Sequence, residues 1–110
     1  MANFYKGTEI KFAFTLTAEG FDMDSDDFDI EVASPRDSVI GSKTGASTSG
    51  GSAGLSIKKE DDTWYAIADT STLSKGELRV IATAHINDTA AHDGVRDEVT
   101  VAPLGTLLIP

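Results

Sequence analysis

The stretch Glu77-Leu78-Arg79-Val80-Ile81-Ala82-Thr83-Ala84-His85-Ile86-Asn87 sets Leu78, Val80, Ala82, Ala84 and Ile86 at every second position. A period of two marks a β-strand with one buried face; on a helix it would smear the apolar residues around the cylinder. Working towards the N-terminus, Trp64 to Ala68 (WYAIA) is apolar on both faces and reads as a central strand. Leu55 with Ile57, and Val39 with Ile40, mark two shorter ones. Phe28, Ile30 and Val32 alternate with Asp29, Glu31 and Ala33, and between Thr8 and Thr17 the residues Ile10, Phe12, Phe14 and Leu16 alternate with polar or small neighbours. Towards the C-terminus, Arg96 to Val101 closes the set with Val99 and Val101. Turn-forming residues separate the runs: Gly7, Ala18-Glu19-Gly20, Ser34-Pro35-Arg36-Asp37, Lys59-Glu60-Asp61-Asp62, Ser74-Lys75-Gly76 and His92-Asp93-Gly94. The pattern predicts an all-β domain, a two-sheet antiparallel sandwich of about seven strands. Phe12, Phe14, Phe28, Trp64 and Leu78 are its expected inward-facing large residues. One helical turn is expected at Asp69-Thr70-Ser71-Thr72-Leu73, where Asp or Thr can cap it.

A chain of 110 residues has room for one core, so residues 1–110 read as a single domain. Its 18 acidic and nine basic side chains give a formal net charge of −9. That balance argues against nucleic acid and anionic membranes as partners, because both are held mainly through Lys and Arg. The absence of cysteine excludes disulfides, thiolate catalysis and Cys-ligated zinc. The N-terminal MANFYKGTEI lacks the apolar stretch of a secretory signal, and no window is long enough to span a bilayer. A protein made and used without secretion is the expectation.

Two segments depart from the alternating pattern. Gly41 to Gly54 (GSKTGASTSGGSAG) has the composition of a flexible linker and reads as a long loop inside the domain. Leu104 to Pro110 (LGTLLIP) is a short apolar tail, open to two readings: a last strand, or an arm docked on a neighbouring molecule. On the arm reading, removing Leu104 to Pro110 leaves a folded domain.

Catalytic and metal chemistry find little support. Asp22, Asp24 and Asp26 have the first ligand spacings of a calcium-binding EF-hand, but Asp27 stands where Gly is needed and Ala33 where Glu is needed. A solvated acidic turn is the simpler reading. His85 falls on the polar face of its strand and His92 in a turn, two ligands where a metal site needs three or four. No nucleophile elbow or local triad signature is present, and the Gly-rich loop lacks the Gly-Lys-Ser/Thr ending of a phosphate-binding loop. Trp64 and Tyr65 are adjacent on one strand, so one ring is expected outward, where it would offer a sugar-stacking surface.

Several segments together carry a resemblance. They are Phe4-Tyr5-Lys6-Gly7-Thr8-Glu9-Ile10-Lys11-Phe12, Gly20-Phe21-Asp22-Met23-Asp24, Asp27-Phe28-Asp29-Ile30-Glu31-Val32, Trp64-Tyr65 with Asp69-Thr70, Leu73 to Leu78, and Asp88 to Val99. The chain resembles small Ig-like structural proteins of tailed bacteriophages, and is similar to the Ig-like N-terminal domain of phage baseplate upper proteins. The likeness covers most of the chain outside the Gly/Ser loop and the last residues, and its motifs are packing and turn signatures that transfer no catalytic residue. It implies an immunoglobulin-like antiparallel β-sandwich and a place in the virion. A baseplate upper protein would continue beyond Pro110, so the length points instead to an auxiliary or decoration protein of the capsid. Its expected partners are the major capsid protein or other virion proteins, with a homo-oligomer also open. The alternatives are a neck, tail or baseplate accessory protein, or a carbohydrate- or receptor-binding module. Contact is expected through Leu104, Leu107, Leu108 and Ile109, through Gly50 and Gly51 of the Gly/Ser loop, or through exposed strand edges. Assembly in the reducing bacterial cytoplasm and exposure on the outer surface of the particle follow from the same resemblance. No enzymatic activity, cofactor or metal is expected.

Overall fold

The computed structural model describes residues 2–45, 47–48 and 54–109. These form nine strands: β1 (Ala2–Tyr5), β2 (Glu9–Phe14), β3 (Asp27–Ala33), β4 (Ser38–Thr44), β5 (Ser47–Thr48), β6 (Leu55–Glu60), β7 (Thr63–Asp69), β8 (Gly76–Asn87) and β9 (Val95–Leu108). The fold is all-β, with no helix among the described residues. One sheet has six strands in the order β1-β9-β8-β3-β4-β5, the other three in the order β2-β7-β6. Every pairing is antiparallel except β1 with β9, which run parallel from Ala2 opposite Gly105 to Tyr5 opposite Leu108.

The alternating positions meet where the two sheets face each other. Phe28, Ile30 and Val32 of β3, Leu78 and Ala82 of β8 and Leu107 of β9 bury against Ile10 of β2, Leu55 and Ile57 of β6 and Ala66 and Ala68 of β7. Phe28 is the aromatic hub: Phe14 and Trp64 of the smaller sheet meet it edge to face, with centroids 5.7 and 5.5 Å away. That geometry suits the aromatic quadrupole and adds to the burial term. β7 lies between β2 and β6, as its two apolar faces require.

The structure corrects several local expectations. Asp69 ends β7 and residues 70–73 form a turn closed by the Leu73 amide on the Thr70 carbonyl, with no helical turn. The Gly/Ser segment is not one loop, since β4 runs on to Thr44 and β5 returns at Ser47–Thr48. Gly41 can lie in β4 because a Cβ there would strike the Leu55 carbonyl, 2.5 Å away in the facing strand. The missing side chain of Gly41 therefore serves close backbone approach. β1 was not signalled by the sequence pattern, and β9 extends well beyond Val101.

Candidate interaction surface

β9 has two unlike halves. Its residues from Gly105 to Leu107 lie between β8 on one side and β1 on the other. Here the strand is interior to the sheet, and Leu107 is 1% exposed. Its first residues, from Val95 to Pro103, pair with β8 alone, so their other side is a free sheet edge. Register shows why the change occurs. Leu78 stands opposite Gly105 but Arg79 opposite Pro103, so Leu104 is an extra, bulged residue at the junction. A bulge bends the strand and ends regular pairing, a common device at sheet edges.

The free half is exposed on both faces. Glu98, Thr100 and Ala102 stand opposite Ala84, Ala82 and Val80, and so share the core-facing side of the sheet, yet all three are exposed. Three strands cannot cover six, and this edge lies beyond the smaller sheet. Val99 and Val101, the markers of this strand in the sequence, point away from the core and are 62% and 56% exposed. Val95, Tyr5 and Ile109 are also exposed, which leaves Ile40 as the sole large exposed hydrophobic residue outside β1, β9 and the residue after it, among the described residues.

On the outward face, His85 of β8 bridges β3 and β9. Its Nδ1 lies 2.7 Å from Asp97 Oδ1 and its Nε2 lies 2.8 Å from Asp29 Oδ2. Asp29 also accepts from the Ser42 hydroxyl of β4 at 2.5 Å. The Asp97 hydrogen bond, with help from Asp29 and against partial desolvation, raises the His85 pKa above its ordinary value. Imidazolium satisfies both carboxylates at once, and the bridge anchors the free half of β9 to the sheet. Asp29 thus links His85 of β8 to the Ser42 hydroxyl of β4 across the outward face.

The residues expected at an interface separate. Leu104 is half-buried at the bulge, Leu107 faces the core, Leu108 pairs with Tyr5, and Ile109 stands out at 57% exposure. The tail is therefore the end of a strand and not a free arm, and the expected folding of a chain cut before Leu104 does not fit a buried Leu107. Gly50 and Gly51 lie outside the described residues. The sequence marks Val99 and Val101 as strand residues but carries no signal for which face they occupy.

No family model, curated protein or solved structure matches the chain.

The other candidates carry less. Among the described residues no group of three or more His, Asp or Glu side chains is placed to hold a metal ion, and no helix is long and apolar enough to cross a membrane. The carboxylates of the 22–26 turn are engaged locally: Asp22 and Asp26 accept the Asp24 and Asp22 amides, and Asp24 pairs with Lys59 at 2.7 Å. Lys59 holds the Asp24 carboxyl below its usual range. Trp64 lines an open cleft of about 520 Å³ with Phe21, Met23, Asp24 and Asp62. Its indole is half-buried, and the Lys59 ammonium sits 5.7 Å from the ring centroid. The Lys11 ammonium covers Tyr65 likewise at 4.5 Å. Each of the two rings is thus approached by a cation.

Proposed function

We propose that this protein is a structural subunit of a bacteriophage virion, an auxiliary or decoration protein that docks on a shell protein through the free half of β9. The supporting observation is the exposed edge from Val95 to Pro103 with Val95, Val99 and Val101 along it. Native proteins shorten, cover or charge such edges, and a long apolar one is a template for another strand. Asp97 and Glu98 at its start are already paired with His85 and Arg96, so the apolar residues of the edge carry the contact.

The strand order also supports an immunoglobulin-like reading of the fold. In a variable-type domain, two strands extend the G-F-C sheet, which faces a sheet containing B, E and D. The order β9-β8-β3-β4-β5 parallels G-F-C-C′-C″ and β2-β7-β6 parallels B-E-D, with β1 beside β9. Fold alone carries no function, so the edge and the resemblance to phage structural proteins bear the proposal.

Mass spectrometry of purified particles, combined with labelling microscopy, tests it. The expected result is many copies on the particle surface, lost when Val99 and Val101 are both replaced by Lys. Absence of the wild-type chain from particles would overturn it. Glycan binding by the isolated domain, lost in Trp64→Ala without unfolding, would favour the binding-module alternative.

A further inference from the structure

The basic residues are unevenly placed. Lys11 and Lys58 pair with Glu60, Lys59 with Asp24, and Arg96 with Asp88 and Glu98. Buried Lys43 donates to the Asp26 carbonyl at 2.8 Å. Like Arg79 of β8, Lys6, Arg36 and Lys75 make no ion pair among the described residues, although acidic side chains outnumber basic ones two to one. These three line one cleft of about 410 Å³, with Pro35, Ser74 and Ile109 and no carboxylate among the lining residues. A neighbouring groove of about 580 Å³ shares Lys75 and Ile109 with it and adds Tyr5 and Leu108.

The cleft is held in shape by buried hydroxyls. Each cation sits on a different loop, after β1, after β3 and before β8. Ser34, 5% exposed, donates to the Asp37 carbonyl and accepts from the Ser74 amide and hydroxyl at 3.0 and 2.9 Å. The Ser74 hydroxyl in turn accepts the Arg36 amide at 3.0 Å. Fully buried Thr70 accepts the Gly7 amide at 3.0 Å and donates to the Thr8 carbonyl at 2.6 Å, which ties the Lys6 loop to the same unit. Gly76 leaves room for Pro35, whose ring would lie 2.8 Å from any Cβ there. Three like charges brought together on pinned loops repel one another, a cost that an anionic occupant removes.

Strands carry the chain between two ends of a molecule 49 Å long. The loops 15–26, 61–62 and 88–94 lie at the end opposite the cleft, and they carry Glu19, Asp22, Asp26, Asp61, Asp62 and Asp93, besides Asp24 and Asp88 already paired with Lys59 and Arg96. We infer that the cleft receives this acidic end of a second copy, joining subunits head to tail. Such a contact is heterologous, and repeats into a ring or a linear chain. It goes beyond the virion role and uses a surface separate from the free half of β9.

Sedimentation velocity of the full chain over a concentration series tests the inference, at about 20 mM and about 300 mM salt, where the Debye length falls from roughly 20 Å to about 6 Å. Self-association is expected, weakening by about tenfold or more at the higher salt. General repulsion between chains of charge −9 has the opposite salt dependence, so tightening with salt would overturn the inference. The reversal Lys6→Glu/Arg36→Glu/Lys75→Glu and the reversal Glu19→Lys/Asp62→Lys/Asp93→Lys are each expected to stay monomeric alone and to associate when mixed. Circular dichroism verifies that both are folded. A wild-type chain that remains monomeric up to about 1 mM, or a basic-end reversal that associates as the wild type does, would equally overturn it. Neither reversal alters Val99 or Val101, so failure here leaves the β9 reading standing.

Discussion

The two halves of β9 share a strand and a pairing partner, β8, but not an environment. From Gly105 to Leu107 the backbone is paired on both sides and Leu107 is in the core; from Val95 to Pro103 one side is open and the apolar residues face solvent. The contrast separates stability from function along a single strand. Residues of the second half hold the domain together, whereas Val99 and Val101 contribute little to folding and are free to serve contact. Pro103, which lacks an amide hydrogen, suits the edge side of the boundary.

The largest effect should come from the closed half. Leu107→Ala removes a fully buried side chain among core residues and is expected to cost about 2–5 kcal/mol in urea unfolding. A cost below about 1 kcal/mol would mean that this half is not core. Gly105→Ala comes next. A Cβ at that position would strike the Ala2 carbonyl and the Phe4 ring, forcing β1 away, at an expected cost of about 1–3 kcal/mol. Its amides should also lose hydrogen-exchange protection through Ala2–Tyr5, while Val95–Pro103 exchange unchanged.

The open half is probed by pH. His85 has its pKa raised in the folded state, so the bridge contributes fully below the unfolded value, about 6.5, and is lost as pH rises through the higher folded value. Urea stability should therefore fall above about pH 6.5, and His85→Gln should flatten that dependence. An unchanged profile in the variant would remove the bridge from the account. The smallest effect is expected from Val99→Thr and Val101→Thr, within about 0.5 kcal/mol of the parent.

The all-β class was legible because Leu78 to Ile86, Phe28 to Val32 and Ile10 to Phe14 each bury one face, which fixes their period. The pairing of β1 was not legible: Ala2–Tyr5 is four residues long, too short for a period, and its parallel partner lies a hundred residues away. The outward turn of Val99 and Val101 was hidden for a different reason. Alternation gives two faces but not which is covered, and that depends on the width of the opposing sheet. The cation cleft was similarly invisible, since Lys6, Arg36 and Lys75 are brought together by the strand order and by the Ser34 and Thr70 hydrogen bonds.

The central claim is that the open half of β9 is a docking edge and not a structural strand. It is tested most directly by quantifying the Val99→Lys/Val101→Lys chain in purified particles beside the wild type. The account predicts a folded variant, with unfolding free energy within about 1 kcal/mol of the parent, that is missing from particles in which the wild type is abundant. Incorporation of the variant at the wild-type copy number would contradict it.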